Sequence, residues 1–347
     1  MKKVIYTLLC FILCLGVQDL EAGNPDRQGE AGAAELLLNP WARGAGLHSM
    51  TTASVTGVEA MRINIAGLSR LNKSELAAAN TRLYEGTGIG INALGFAAKV
   101  GSSGAFGISL MAMDFGDNVV TTTDQPEGTG GTFSPSFVNI GFGYSYTYAN
   151  KISVGVLFRG ISESVVGVTS LGFAIDAGVQ YVSGPKDNFK LGISLRNTGS
   201  PMAFGGDGLS QNLPDPNTGN SNLTFELRSE DFELPSVLNI GLAYDYYLNE
   251  DTYIRGIGNF TSNAFGSDQI GVGAELSFRE LVQIRGGYKY EIDQNTDRES
   301  IYTGLSMGAT VLVPVRRGSS TKMAVDYAYR TTSVFDGTHN ITLRLAI

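Results

Sequence analysis

Apolar and polar side chains alternate along most of this chain with a period of two. From Ile140 to Tyr148 the even positions carry Ile, Phe, Tyr, Tyr and Tyr, and the odd positions between them carry Gly, Gly, Ser and Thr. Leu171, Phe173, Ile175, Ala177, Val179 and Tyr181 share one face of a strand, with Gly172, Ala174, Asp176, Gly178 and Gln180 on the other. Leu238 to Tyr246 repeats the scheme, and Ile341, Leu343, Leu345 and Ile347 alternate with Thr342, Arg344 and Ala346 at the end of the chain. Successive side chains of a strand point to opposite faces, so each segment presents one apolar face and one polar or small face.

About fourteen such segments are expected, beginning near 75, 92, 104, 137, 152, 170, 189, 235, 252, 270, 281, 301, 323 and 338. Alternation also suits a soluble β-sandwich. The connections separate the two cases. Those after even-numbered segments are short (Gly101–Ser103, Ala149–Lys151, Asn249–Asp251, Arg279–Glu280), and those after odd-numbered segments include the long Asp114–Ser136 and Thr198–Leu234. Short turns on one side and longer loops on the other are the habit of outer-membrane barrels. The expected fold is therefore all-β: a transmembrane antiparallel β-barrel over 75–347, in contact with outer-membrane lipid and lipopolysaccharide. By parity Arg159, Asp176, Asp245, Glu275, Arg285, Lys289 and Arg344 fall on the inward face, predicting a hydrated or salt-bridged lumen.

Residues 23–74 do not read as barrel. Ala31 to Leu38 has the composition of a short helix, stopped by Asn39-Pro40. With the strands following it, this segment is expected to lie in the lumen as a hatch or plug. Ahead of it, Lys2-Lys3, the apolar run Val4 to Val17 and Leu20-Glu21-Ala22 follow the layout of a secretory signal, placed at 1–22.

Composition narrows the function classes. Glycine is abundant at 45 residues, charge is low at 17%, and the net charge is −8. An acidic chain without clustered Lys and Arg is a poor nucleic-acid partner. Both cysteines, Cys10 and Cys14, lie in the signal, which leaves no disulfide framework or thiol nucleophile for the mature chain. The two histidines, His48 and His339, sit in different elements with no metal or triad spacing. No enzyme activity, cofactor or metal is expected, and the acidic loop residues Asp114, Asp117, Asp124 and Glu127 read as a solvated surface.

The segments Ala42-Arg43-Gly44-Ala45-Gly46-Leu47 and Asn64-Ile65-Ala66-Gly67-Leu68 resemble the opening of the PorV/PorQ family, outer-membrane barrels related to the FadL channels. Residues 120–133 (VTTTDQPEGTGGTF) resemble an outer loop of that family, and 232–244, 301–308 and 325–347 continue the likeness. Two departures are clear: where the family has Asn-Pro-Ala-Gly, this chain has Asn64-Ile65-Ala66-Gly67, and the family's acidic pair before that motif is replaced by Thr56-Gly57-Val58-Glu59. The resemblance implies a FadL-like barrel of the type IX secretion system of Bacteroidetes, with a hatch motif of Arg43, Gly44, Gly46, Asn64 and Gly67. It also implies a partner-binding outer loop at Thr123, Gln125, Pro126, Glu127 and Gly128. The partners implied are a secretion translocon barrel and secreted cargo proteins. The other reading is a FadL-like channel for hydrophobic small molecules.

Overall fold

The computed structural model describes residues 27, 29–214, 221–279, 281–292, 300–315 and 321–347. The signal expected at 1–22 lies outside the described residues. Among those described, fourteen long strands run in chain order around a closed wall. They are β1 (Ser74–Arg82), β2 (Gly90–Val100), β3 (Gly104–Asp114), β4 (Ser136–Tyr148), β5 (Ile152–Val165), β6 (Val168–Ser183) and β7 (Phe189–Gly199). The circuit continues through β8 (Val237–Tyr247), β9 (Thr252–Asn263), β10 (Gln269–Phe278), β11 (Val282–Glu291), β12 (Tyr302–Pro314), β13 (Lys322–Thr332) and β14 (Thr338–Ala346). Each pairs antiparallel with the next, and β1 closes on β14 with Leu76 opposite Leu345 and Asn80 opposite Ile341. Closure leaves the sheet no free edge strand, so the ladder amides pair within the wall, as a lipid environment demands.

The two faces separate as the period-2 pattern dictates. Along β8, Leu238, Ile240, Leu242, Tyr244 and Tyr246 are exposed on the outer face, while Asn239, Ala243 and Asp245 are buried inside. The same holds around the wall, and the ring of exposed apolar side chains is the lipid-facing belt. Tyr146 and Tyr148 of β4, Tyr246 of β8 and Phe278 of β10 cluster near the end that carries the short turns, where an interfacial aromatic girdle belongs. No helix among the described residues is long and apolar enough to cross a membrane; the crossing is made by strands.

Loop length follows parity less strictly than expected. The β5–β6 connection, on the long-loop side, is only Val166-Gly167. Gly167 has φ +73° and its carbonyl accepts from Gly208 N at 3.0 Å, so the β7–β8 loop reaches back to this tight turn. The 115–135 loop is itself a hairpin, with Asn118–Val119 paired to Thr132–Phe133. Two irregularities interrupt the wall. Asn197 of β7 sits at φ +59° in a bulge opposite Asp176. Near the outer end, the β11–β12 ladder stops at Tyr288 opposite Leu305, where Gly304 at φ +92° breaks the register.

The lumen is filled by residues 31–71. The expected helix at 31–38 shrinks to a 3-10 turn, Ala34–Leu37, because Ala31 bridges to Glu233 and Ala33 takes a left-handed φ of 51°. Short helical turns follow at Ala42–Ala45, Ala60–Ile63 and Ile65–Arg70.

Candidate functional site

The hatch packs against both halves of the wall: Leu47, Met50 and Ala53 are buried with Ala243 of β8 and Ile257 of β9, and Ala42 and Ala45 with Ala328 of β13. Toward β1–β6 it is apolar: Trp41, Val58, Met61, Ile63, Ile65 and Leu68 are buried with Ala93, Ala97, Ala105, Met111 and Leu157 of the wall. Each such side chain contributes about 1.5–3 kcal/mol on burial. Small wall residues make this fit. A Cβ on Gly192 of β7 would stand 2.3 Å from Thr52 O, and one on Gly67 would stand 2.1 Å from Val55 O, so both positions require glycine.

Polar contacts then fix the register of the hatch. Asn64 Nδ2 donates to Thr52 O at 2.9 Å and to Val179 O on the wall at 3.1 Å, while Oδ1 accepts from Ala66 N at 3.2 Å. The asparagine side chain thus caps Ile65–Arg70 by itself, which is why the turn survives without the proline the resemblance leads one to expect. Arg159, 2% exposed, donates to Asp176 Oδ2 from Nε (2.8 Å) and Nη2 (2.6 Å), to Asn139 Oδ1 (3.0 Å) and to the hatch carbonyl of Met61 (2.7 Å). Asp176 Oδ1 accepts from Asn197 N at 2.7 Å, so one carboxylate satisfies both the arginine and the amide that the bulge frees from the ladder.

Below the hatch, toward the short turns, a chain of ion pairs crosses adjacent strands from β7 to β1. Lys190 Nζ meets Asp245 (2.8 Å), Asp245 meets Arg255 (2.6 Å), and Arg255 meets Glu275 (3.3 Å). Glu275 meets Arg285 at 2.9 Å, and Arg285 Nη2 donates to Thr310 Oγ1 at 2.7 Å, which in turn donates to Asp326. Asp326 meets Arg344 (2.6 Å), and Arg344 approaches Glu75 (3.9 Å), whose Oε1 accepts from Val58 N of the hatch (2.9 Å). Every buried carboxylate in this belt has a cationic partner, which is what a desolvated charge requires.

Glu59 of the hatch is buried, and its Oε1 accepts from Gly44 N at 2.6 Å. Burial pushes its pKa up to about 7 against the opposing pull of Arg43 and Arg344.

Above the hatch, toward the longer loops, lies a cavity of about 870 Å³. Its wall is formed by β8–β13, with Val237, Asn239, Thr261, Phe265, Gln269, Lys289, Glu291, Tyr302 and Arg330 among the lining residues. The hatch supplies Leu37, Leu38, His48, Ser49 and Ile63 to the same cavity, and β7 supplies Arg196. It includes the outer ends of β11 and β12 where their ladder has stopped.

The residues expected from the sequence are thus distributed over three places. Arg43, Gly44, Gly46, Asn64 and Gly67 lie in the lumen-filling segment, and Gly46 passes close to Gly308 of the wall. Arg159 and Asp176 pair with each other, Glu275 and Arg285 belong to the ion-pair belt, and Lys289 lines the cavity. Thr123, Gln125, Pro126 and Glu127 are exposed, and Gly128 half-buried, at the tip of the 115–135 hairpin, away from the cavity. Sequence reasoning missed Arg196, Arg330 and Tyr302. The signal was present for two of them: Arg196 follows Lys190, Gly192 and Ser194 by parity, and Arg330 follows Asp326 and Ala328.

No protein-family model matches the chain, and no curated protein matches it. The PorV/PorQ resemblance therefore finds no support there. Solved structures do match. CymD, a monoaromatic hydrocarbon channel, superposes with a TM-score of 0.55 at 14% identity, over 89% of this chain and 97% of that one. The Pseudomonas putida toluene transporter TodX gives 0.55 at 12% identity, over 87% and 96%, and a Pseudomonas aeruginosa FadL homologue gives 0.52 at 11%, over 88% and 97%. The fold is that of the FadL-like outer-membrane barrels. The chain resides in the outer membrane, its apolar belt in lipid.

Proposed function

We propose that this barrel is an outer-membrane channel for small molecules with a substantial apolar body, admitting them from the outer cavity past the hatch. The observation that carries the reading is the cavity itself. It has the volume of a small-molecule site, lies at the long-loop end of the barrel and is floored by the hatch, with Leu37, Leu38, Ile63, Val237 and Phe265 as apolar lining. A ligand seated there has one barrier to pass, the hatch itself. CymD is a monoaromatic hydrocarbon channel and TodX a toluene transporter, so small aromatic molecules are the first probes to try. The test is uptake of radiolabelled toluene and benzoate by intact Gram-negative cells stripped of their general porins, with and without the chain. Uptake of either probe above the control supports the channel; uptake of neither removes it.

A second reading, a secretion partner of the type IX kind, draws on one observation. The outer hairpin Ser210–Pro214/Asn222–Glu226 leaves Leu213, Leu223 and Phe225 exposed, with Leu227 beside them, beyond the lipid-facing wall. Loops on a rigid scaffold often carry partner contacts. Recovery of a large translocon barrel, or of secreted proteins sharing one C-terminal domain, by gentle pull-down from native membranes is the result that favours it over the channel.

A further inference from the structure

Two carboxylates meet near the outer end of β5–β6, one from the wall and one from the hatch. Glu163 shares the inward face of β5 with Arg159 and Ile161, and its cross-strand neighbours are Phe137 of β4 and Ser170 of β6. Phe137 is buried, so one flank of the carboxylate is apolar. The hatch brings Glu35 to the same place. Leu36, next in the chain, is buried in one cluster with Phe137 and Ile161, and Glu35 is the charged group that acts on Glu163. No cation among the described residues forms an ion pair with either carboxylate. This contrasts with the belt below the hatch, where each buried charge meets its opposite.

A second, independent observation falls on the same spot. Ser170 is 0% exposed, and its Oγ has no hydrogen-bond partner among the described residues. The β7–β8 loop runs along β6 here, with Phe204 opposite Ser170. Oε1 of Glu163 is likewise shielded from solvent and without a partner. Directly opposed residues of an antiparallel pair hold their Cβ atoms about 4.5–5.5 Å apart, so these two oxygens are neighbours that do not bond to each other. Buried oxygens of this kind are costly unless something completes them. A cation that seeks oxygen completes the hydroxyl and both carboxylates at once. Ca2+ takes about six to eight oxygen ligands in irregular arrangements, whereas Mg2+ demands a near-ideal octahedron.

We propose that Glu35, Glu163 and Ser170 form a divalent-cation site, suited to Ca2+, that ties the hatch to β5–β6 at the outer end of the barrel. Two carboxylates are a small charge for such a site, which places its dissociation constant in the range of about 0.1–1 mM typical of extracellular modules. Glu163 is half-buried, so the ion reaches it from the outer side. None of the three residues lines the outer cavity, and the site stands whether or not the barrel passes a solute.

The test is equilibrium dialysis of the full chain, purified in detergent and stripped with a chelator, against radioactive calcium up to about 10 mM. The expected result is a bound calcium whose affinity falls at least about tenfold in Glu163→Gln and in Glu35→Gln. Both changes keep side-chain shape and remove like-charge repulsion, so the barrel folds in each. In the parent chain calcium also raises the urea midpoint of the near-UV circular dichroism of Trp41, which is buried in the hatch, and E163Q abolishes that gain. Calcium bound equally by the parent and both variants lies elsewhere, in the acidic outer loops, and overturns the proposal. So does an absence of binding at the highest concentration. A hatch that gains nothing from calcium but is steadier in E163Q than in the parent overturns it too, and leaves the two carboxylates sharing a proton.

Discussion

Replacing Arg159 with Met tests how the hatch is fastened to the wall. In the parent chain the guanidinium spans two elements, with two bonds to Asp176 Oδ2 and one to Met61 O of the hatch. Methionine matches much of the arginine's volume and supplies no donor. Asp176, 3% exposed, keeps only the Asn197 amide. Removing one partner of a buried pair costs about 3–5 kcal/mol, because the remaining charge stays desolvated. The orphaned Met61 carbonyl adds about 1–3 kcal/mol. The two losses share one side chain and are not additive, and Arg62 and Arg196, both close to Asp176, relieve part of the unpaired charge. The working figure is therefore about 3–4 kcal/mol. The assay is urea unfolding of the detergent-solubilised barrel, followed by near-UV circular dichroism of the single tryptophan, Trp41, which is buried in the hatch. R159M lowers the hatch midpoint well before the β-sheet signal changes, and adding Asp176→Asn recovers about half of the loss. A stability change below about 1 kcal/mol, or simultaneous loss of Trp41 and sheet signals, refutes the view that this pair clamps a separable hatch.

Other perturbations follow from the same geometry. Gly192→Val drives a side chain into Thr52 and Ala53, and the Trp41 signal weakens while the sheet signal persists. Asn64→Ala removes the cap and the bonds to Thr52 O and Val179 O, costing the hatch about 1–3 kcal/mol in the same unfolding assay. Glu59 predicts a pH dependence. Its folded pKa, about 7, is raised above the ordinary 4.5, so the folded hatch holds more protons than the unfolded one between those values. Hatch stability therefore falls as pH rises from 4.5 to 7 and levels off above; Glu59→Gln flattens that slope, and an unchanged slope sets the assignment aside.

Strand positions were legible because they depend on local alternation. All fourteen starts fall within two residues of where the pattern puts them, as at 104, 152, 189, 252 and 338. The inward face of each strand was legible for the same reason. Which charges meet was not. Arg255 joins Asp245 and Glu275 only because three strands share one register, and register is set by turns and by side chains on neighbouring strands. The bulge at Asn197 and the break at Gly304 left no mark in the alternation. The cavity was invisible for a further reason: it exists only because the hatch stops short of the outer ends of β8–β13, after packing closely on the same strands below. The PorV/PorQ likeness pointed to a FadL-like barrel, which the solved structures support, and to a secretion role, for which the outer hairpin is the remaining ground.

The most direct test of the channel is uptake by intact porin-deficient cells, using toluene and benzoate beside maltose, a polar sugar. The account predicts that the full chain admits at least one of the aromatic probes above the control and leaves maltose outside. Aromatic uptake no greater than in cells lacking the chain would contradict it.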